Sequence, residues 1–185
     1  SDNAGIANEL ALAAGKLRDY PLAIASFEHY LGLVTPSAQD HLRFADLLLI
    51  ARDIDYSEQQ LALAAPLAAE SSEFHVLKAR LARLRGNRKE AVRATGAALE
   101  LDPHNGQAWG IHMEISDSAA LAGLIERVKS LLREEIANPY FRVLMSYALA
   151  NACLRSGDDA AAFAELKNAN YLQQEHRSEE HTSEL

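Results

Sequence analysis

Residues 74–103 read FHVLKARLARLRGNRKEAVRATGAALELDP. The stretch parses as helix, tight turn, helix, stop. Gly86-Asn87 ends the first helix, since glycine reaches the left-handed conformation favoured at helix ends without a Cβ penalty. Lys89-Glu90-Ala91 opens a second helix. Asp102-Pro103 closes it, because the residue before proline is driven out of the α region. Ala79, Ala82, Ala91 and Ala98 are its small positions. Two helices joined by so short a turn pack antiparallel, and alanine-sized contacts bring their axes to the low end of the usual separation of about 8–10 Å.

The same arrangement recurs along the chain. Residues 156–169, SGDDAAAFAELKNA, repeat the turn-plus-helix design of residues 85–98, RGNRKEAVRATGAA. Ala150, Cys153, Gly157, Ala162, Leu166 and Ala169 hold the corresponding offsets near the C-terminus. Ala11, Ala14, Asp19-Tyr20, Ala23, Phe27 and Tyr30 do so near the start. A weaker copy carries Leu47, Ile50, Asp55-Tyr56 and Leu63. A further one opens with Trp109 and loses the pattern after Met113. Anchored this way, five units start near residues 4, 40, 72, 106 and 143.

The spacing and the small positions resemble the tetratricopeptide repeat (TPR), a helix–turn–helix unit of about 34 residues. The resemblance implies an all-α, right-handed α-solenoid of about five units over residues 1–176, whose first helices line a concave surface. The third unit carries Ala79, Ala91, Ala98 and Pro103, with Thr95 where an aromatic is usual. The first carries Ala11, Ala23 and Phe27, with Tyr30 replacing the last alanine. In the second unit Gln59 and Pro66 stand in place of both alanines, and Pro66 is expected to bend or break its second helix. The lysine and asparagine arrangement with which some TPR proteins clamp a terminal carboxylate is absent: Asn8 and Leu12 hold the relevant positions.

A narrower resemblance involves residues 108–132 and 147–173. These are similar to the region preceding the catalytic domain in bacterial TPR–sulfotransferase proteins, including the motif Ala162-Phe163-Ala164-Glu165-Leu166-Lys167-Asn168-Ala169-Asn170. In that family a glycine- and serine-rich phosphate loop holds the sulfuryl donor; this chain has none, so no catalytic residue carries over. Residues 177–185, RSEEHTSEL, are identical to the in-frame translation of a common short-read sequencing adapter. They are expected to form a non-native or disordered tail.

Composition supports the helical reading. Of 185 residues, 34 are Ala and 28 Leu, while aromatics make up 6%. Good helix formers dominate and strand formers are scarce. The apolar content of 49% can bury a core, which argues against a disordered chain. No apolar run approaches the roughly 20 residues of a membrane span. One cysteine excludes an intramolecular disulfide, and a net charge of -8 argues against nonspecific nucleic-acid binding. No secretory signal segment is evident, and a cytoplasmic location is the expectation.

No HExxH, CxxC, GxGxxG, GxxxxGK[ST] or GxSxG motif occurs, and the seven histidines are scattered. Catalysis, a metal site and a cofactor are therefore not expected. Cys153 sits where the repeat wants a small buried residue, and Trp109, Met113 and Tyr171 are read as core. Lys78, Arg80, Arg83, Arg85, Arg88, Lys89 and Arg93 form one basic cluster. Arg80 and Arg83 share a helix face that the repeat register points into the groove. The pair is either a subsite for a carboxylate or phosphate or a solvated face neutralised by acids such as Glu70 and Glu73. Arg52, Tyr147, Asn151 and Arg155 are the other groove candidates. Tyr147 and Asn151, four residues apart, either contact a peptide or pack helices together. The expected function is non-catalytic binding of a protein or peptide, with acidic or phosphate groups among the expected ligands. The alternative is the repeat region of a sulfotransferase whose catalytic half lies outside this chain.

Overall fold

A computed structural model of the chain describes residues 2–136 and 138–183, without the side chains of residues 2 and 176–183. The described residues form ten helices and no strand. The chain divides after Asn87 into two compact units, Ser1–Asn87 and Arg88–Leu185. The first holds α1 (Asp2–Lys16), α2 (Tyr20–Leu33), α3 (Ala38–Ala51), α4 (Ile54–Ala68) and α5 (Ser72–Leu84). The second holds α6 (Arg88–Leu101), α7 (Gly106–Ile115), α8 (Ser118–Leu131), α9 (Pro139–Arg155) and α10 (Asp159–Ser183). The stretch 74–103 thus spans the division, with α5 in one unit and α6 in the other. Helices α1 and α2, α3 and α4, and α9 and α10 pack as hairpins, whereas α7 packs chiefly on α9 and only lightly on α8.

Two sets of local bonds punctuate the chain at a strict interval. Ser37, Ser71 and Asn105 cap successive first helices, each one repeat length after the last, accepting from the backbone N–H of Asp40 (3.2 Å), Phe74 (3.4 Å) and Ala108 (3.0 Å). Such caps satisfy donors that a helix start leaves orphaned. Arg18, Arg52 and Gly86 follow one another at the same interval and adopt left-handed backbones with φ of 61°, 68° and 70°, as does Gly157 at 82°. The N–H of the following residue then reaches back to a carbonyl of the helix just ended: Asp19 to Ala14, Asp53 to Leu48, Asn87 to Ala82 and Asp158 to Cys153, at 2.8–3.0 Å. This is the Schellman closure of a helix C-terminus.

The interval corrects the expected reading of the second unit. Its start is Ala38 rather than residue 40, and its small positions are Ala45, Ser57 and Ala64, all fully buried. Ser57 stands one repeat length from both Ala23 and Ala91, and its hydroxyl donates to the Ala45 carbonyl at 3.0 Å. Gln59 and Pro66 are exposed and fill no packing position. Helix α4 passes through Pro66 and ends at Ala68. The proline removes one N–H in the last turn, on the solvent side, where the freed carbonyl can meet water.

In the first unit Phe27 of α2 stacks on Phe44 of α3, with centroids 5.0 Å apart and planes 1° from parallel. Tyr56 meets Phe44 edge-on at 5.3 Å. Leu42, Leu49, Leu61, Phe74, Leu77 and Leu81 form a second cluster among α3, α4 and α5. In the second unit the core gathers Trp109, Met113, Leu121, Val128, Met145 and Leu149. Trp109 and Met113 are core residues, as expected. Tyr171 is not: it is exposed and donates to Glu175 at 2.5 Å, because α10 has no further helix against that face among the described residues. Of the expected tail, 177–185, the α10 backbone is helical through Ser183; the side chains of 176–183 and residues 184 and 185 lie outside the described residues.

Helix α7 is short, and its end is closed differently. It has ten residues, and no left-handed turn follows it. Arg155 of α9 donates instead to the carbonyls of Met113, Glu114 (3.0 Å) and Ser116 (2.7 Å). Arg88 donates to Ile115 O at 2.6 Å and to the Asp117 carboxylate at 2.5 Å. Two guanidinium groups thus satisfy the orphaned carbonyls and complement the negative helix end. At the other end, Gly106 lets α7 meet α9: a Cβ there would lie 2.5 Å from Phe141 O and 2.8 Å from Leu144 Cβ. Beyond α7's own backbone and the chain neighbours, nothing lies within 4 Å of a Cβ built on Gly110, one turn along.

Gly106→Ala is expected to cost about 2 kcal/mol or more, because overpacking against backbone cannot relax without parting the helices. Gly110→Ala on the same helix is expected to gain about 0.5–1 kcal/mol; chemical denaturation of the pair checks both signs. Arg52→Gly is expected to stabilise the first unit by about 0.5–1 kcal/mol, since a left-handed backbone strains an L-residue and not glycine. Arg155→Ala is expected to cost about 1–2 kcal/mol. Arg155→Lys should recover less than half of that loss, because an ammonium lacks the fork that spans three carbonyls; thermal melting of the three chains reads the order.

Candidate functional site

A groove of about 590 Å³ runs between α7 and α9 in the second unit. Its α7 wall carries Gly106, Gly110, Ile111, Met113 and Glu114; its α9 wall carries Tyr140, Leu144, Tyr147, Asn151 and Arg155. The walls are first helices of consecutive repeats, the faces expected to be concave. Gly110 deepens the floor, since no side chain projects there. The lining is mostly apolar, with a few polar groups of defined position, the composition usual for small-ligand and peptide sites.

Three of the expected groove residues meet here. Asn151 is exposed on the α9 wall and offers an amide that both donates and accepts. Tyr147 presents its ring to the groove while its hydroxyl lies 2.6 Å from Asn170 Oδ1 and 2.7 Å from Gln173 Oε1 of α10. Its one proton serves one of these, so the tyrosine also ties α9 to α10. Arg155 lines the groove, but its guanidinium is engaged by the α7 carbonyls. Of the two roles weighed for Tyr147 and Asn151, the Tyr147 hydroxyl bonds show helix packing.

The other three lie in the first unit. A second groove of about 410 Å³ is lined there by Leu12, Arg43, Asp46, Leu47 and Ile50, among others. Arg80 forms an ion pair with Asp46, at the edge of this groove. Arg83 is exposed on α5. Arg52 is exposed at the left-handed turn between α3 and α4, outside the residues that line the groove. Asn8 accepts from Arg43 at 2.9 Å.

The basic cluster divides between the two units and is largely matched with acids. Arg85 reaches Glu58 at 2.6 Å and Asp55 at 2.9 Å. Arg93 forks onto Glu90 at 2.7 and 2.9 Å. Lys78 lies 5.7 Å from the Phe74 ring centroid. The matching acids are Asp46, Asp55, Glu58, Glu90 and Asp117, while Glu73 accepts from Gln39 at 3.1 Å.

Burial shifts two titratable groups of the second unit toward their neutral forms. Burial pushes the Cys153 thiol above its ordinary value, opposite to the shift that activates a nucleophilic cysteine. Burial pushes the His112 imidazole below its ordinary value, and its Nδ1 lies 2.6 Å from Thr95 Oγ1. No group of His, Cys, Asp or Glu among the described residues is placed to hold a metal ion. No helix among them is long and apolar enough to cross a membrane.

Sequence reasoning overlooked Gly110, Glu114, Tyr140 and Leu144. Gly110 carried a usable signal, as a glycine within a helix that tolerates none without a loss of stability. Leu144 and Tyr140 had none, since their place depends on how α7 crosses α9.

No protein-family model and no curated protein matches the sequence. Solved structures do match it in fold. The chain is similar to a crystal structure of MamA protein, with 14% identity over 96% of this chain and 95% of that one and a TM-score of 0.59. A MamA double mutant matches with 12% identity over 95% and 97% and a TM-score of 0.60. YrrB, described as a TPR protein with an unusual peptide-binding site, matches with 13% identity over 97% and 91% and a TM-score of 0.53. The chain has the all-α helical-repeat fold of these proteins.

Proposed function

We propose that this chain is a non-catalytic peptide-binding repeat protein whose recognition surface is the α7–α9 groove. The observation that carries the reading is the groove itself: an apolar trough floored by Gly110, with the Asn151 amide on its wall. An apolar side chain of a bound peptide would enter over Gly110, and Asn151 would pair with a backbone amide of the ligand. Tyr147 and Tyr140 would supply contact area at low entropic cost. That YrrB carries a peptide-binding site on the same fold supports this class of ligand.

Acidic or phosphate-bearing ligands are a narrower proposal. Arg80 would accept such a group only by giving up Asp46. Arg83 and Arg52 would add long-range attraction rather than a formed subsite. The sulfotransferase reading rests on the sequence resemblance of residues 108–132 and 147–173, which includes the motif 162–170. In the fold Ala162 and Ala169 of that segment pack into the α9–α10 hairpin, a role any repeat requires.

Gly110→Leu tests the groove, because a Cβ there meets nothing from other elements within 4 Å and the longer side chain would occupy the trough. Peptides selected from a displayed random library on this chain should lose about tenfold or more in affinity for Gly110→Leu, read by fluorescence anisotropy. Gly110→Ala should bind nearly as the parent, and Asn151→Ala should bind severalfold more weakly. Equal binding by parent and Gly110→Leu, or a selection that enriches nothing, would overturn the proposal.

A further inference from the structure

We infer that a cleft between α6, α7 and α8 is a second binding site, separate from the peptide groove, and that it takes a small amphiphilic carboxylate: an anionic head on an apolar tail. The cleft encloses about 570 Å³, within the range usual for small-ligand sites. It lies inside the second unit. Its α7 residue, His112, stands two positions from Gly110 and so on the other side of the helix from the peptide groove. The irregular repeat creates the space. Helix α4 packs closely on α3, whereas α8 leans on α9 and meets α7 only lightly, leaving room between α8 and α6.

The two ends of the cleft differ. Helices α6 and α8 both begin at the end where α7 stops, and this end carries Arg88, Lys89, His112, Ser116 and Asp117. Val92 on α6 and Leu124 on α8 lie further along and, with Ala120, make the rest apolar. The polar end is cationic in a chain of net charge -8. Arg88 holds the Asp117 carboxylate and also donates to Ile115 O. Lys89 is exposed and pairs with no acid among the described residues. A carboxylate head is the complement of this end, and an alkyl tail the complement of the other.

His112 completes the seat. Its Nδ1 lies 2.6 Å from Thr95 Oγ1, which is 3.0 Å from the carbonyls of Ala91 and Val92. A doubly protonated ring is thus accommodated: Nδ1–H donates to Oγ1, and the hydroxyl passes its own proton to a main-chain carbonyl. Nε2 has no partner among the described residues and is not sealed from solvent, so it opens on the cleft that His112 lines. Without an anion, burial pushes the ring below its ordinary value. The charged groups facing it are Arg88 and Lys89 on α6 and Asp117 before α8; α8 itself adds none to the lining. A carboxylate held between Lys89 and Nε2–H favours the imidazolium. Binding therefore takes up a proton from solvent and tightens as pH falls between the bound and free midpoints of His112.

Octanoate is the probe. It should raise the pH midpoint of the His112 Cε1–H resonance, read by NMR, by about one pH unit. It should also change the emission of Trp109, the single tryptophan, whose ring centroid lies 6.1 Å from that of His112. Lys89→Gln, at an exposed position, should weaken binding about threefold or more. Val92→Glu sets a carboxylate on the apolar wall and should weaken it about tenfold or more. Ala120→Glu, exposed on the facing wall, replaces Val92→Glu if circular dichroism shows lost helix. Octan-1-ol and inorganic phosphate each lack one half of the ligand and should leave the His112 midpoint in place. An unmoved midpoint with octanoate would overturn the inference. So would an equal response to octanol or phosphate, or octanoate binding that both variants leave unchanged. Gly110→Leu should bind octanoate like the parent, so this test and that of the peptide groove fail independently.

Discussion

Small side chains where helices cross are the constraint on which the rest depends. Ala11, Ala45 and Ala79 recur in the first helices, and Ala23, Ser57 and Ala91 in the second helices, of the first three repeats, and all are buried. At these places backbone meets backbone, and a larger residue would have to shift whole helices rather than a rotamer. The interval is maintained by local chemistry on either side. A Ser or Asn cap starts each of three first helices, and a left-handed residue followed by Asp or Asn ends four of them. The left-handed site accepts Arg twice and Gly twice, so the reverse bond to the preceding turn outweighs the backbone cost of an L-residue.

The groove exists because one repeat departs from this scheme. The interval places the next left-handed turn near residue 120, yet α7 has already ended at Ile115. Its carbonyls, left without the usual reverse bond, are met by Arg88 and Arg155. Gly106 removes the side chain that would hold α7 off α9, and Gly110 leaves the trough beyond the contact open. The proposed binding surface and the irregularity therefore coincide. A site that breaks a local rule while its neighbours obey it is where function is expected.

Charge is distributed by the same packing logic. The cluster from Lys78 to Arg93 looks like a basic patch along the chain, but most of the acids that match it come from other helices. Asp46 lies on α3, Asp55 and Glu58 on α4, and Asp117 just before α8. These exposed pairs contribute little stability each. Their effect is to fix side-chain directions and to engage guanidinium groups that linear reading leaves open.

Helix content, the turns at Gly86 and Gly157, the burial of Cys153 and Trp109, and the recurrence of small residues were all legible in the amino-acid sequence. They depend on interactions within a turn or two, or on a periodic pattern that any alignment of the chain on itself exposes. The register of the second repeat was also there, in Ser37, Asp53 and Ser57. It was masked by aligning the weaker copy on Asp55-Tyr56 and by placing Gln59 and Pro66 at the alanine positions. The roles of Arg80, Arg155 and Tyr147 were decided only by tertiary structure. A guanidinium or hydroxyl at the end of a long side chain takes whichever partner packing brings within about 3 Å. Asp46, the Met113–Ser116 carbonyls and Asn170 all lie far from these residues along the chain, on other helices or at their ends.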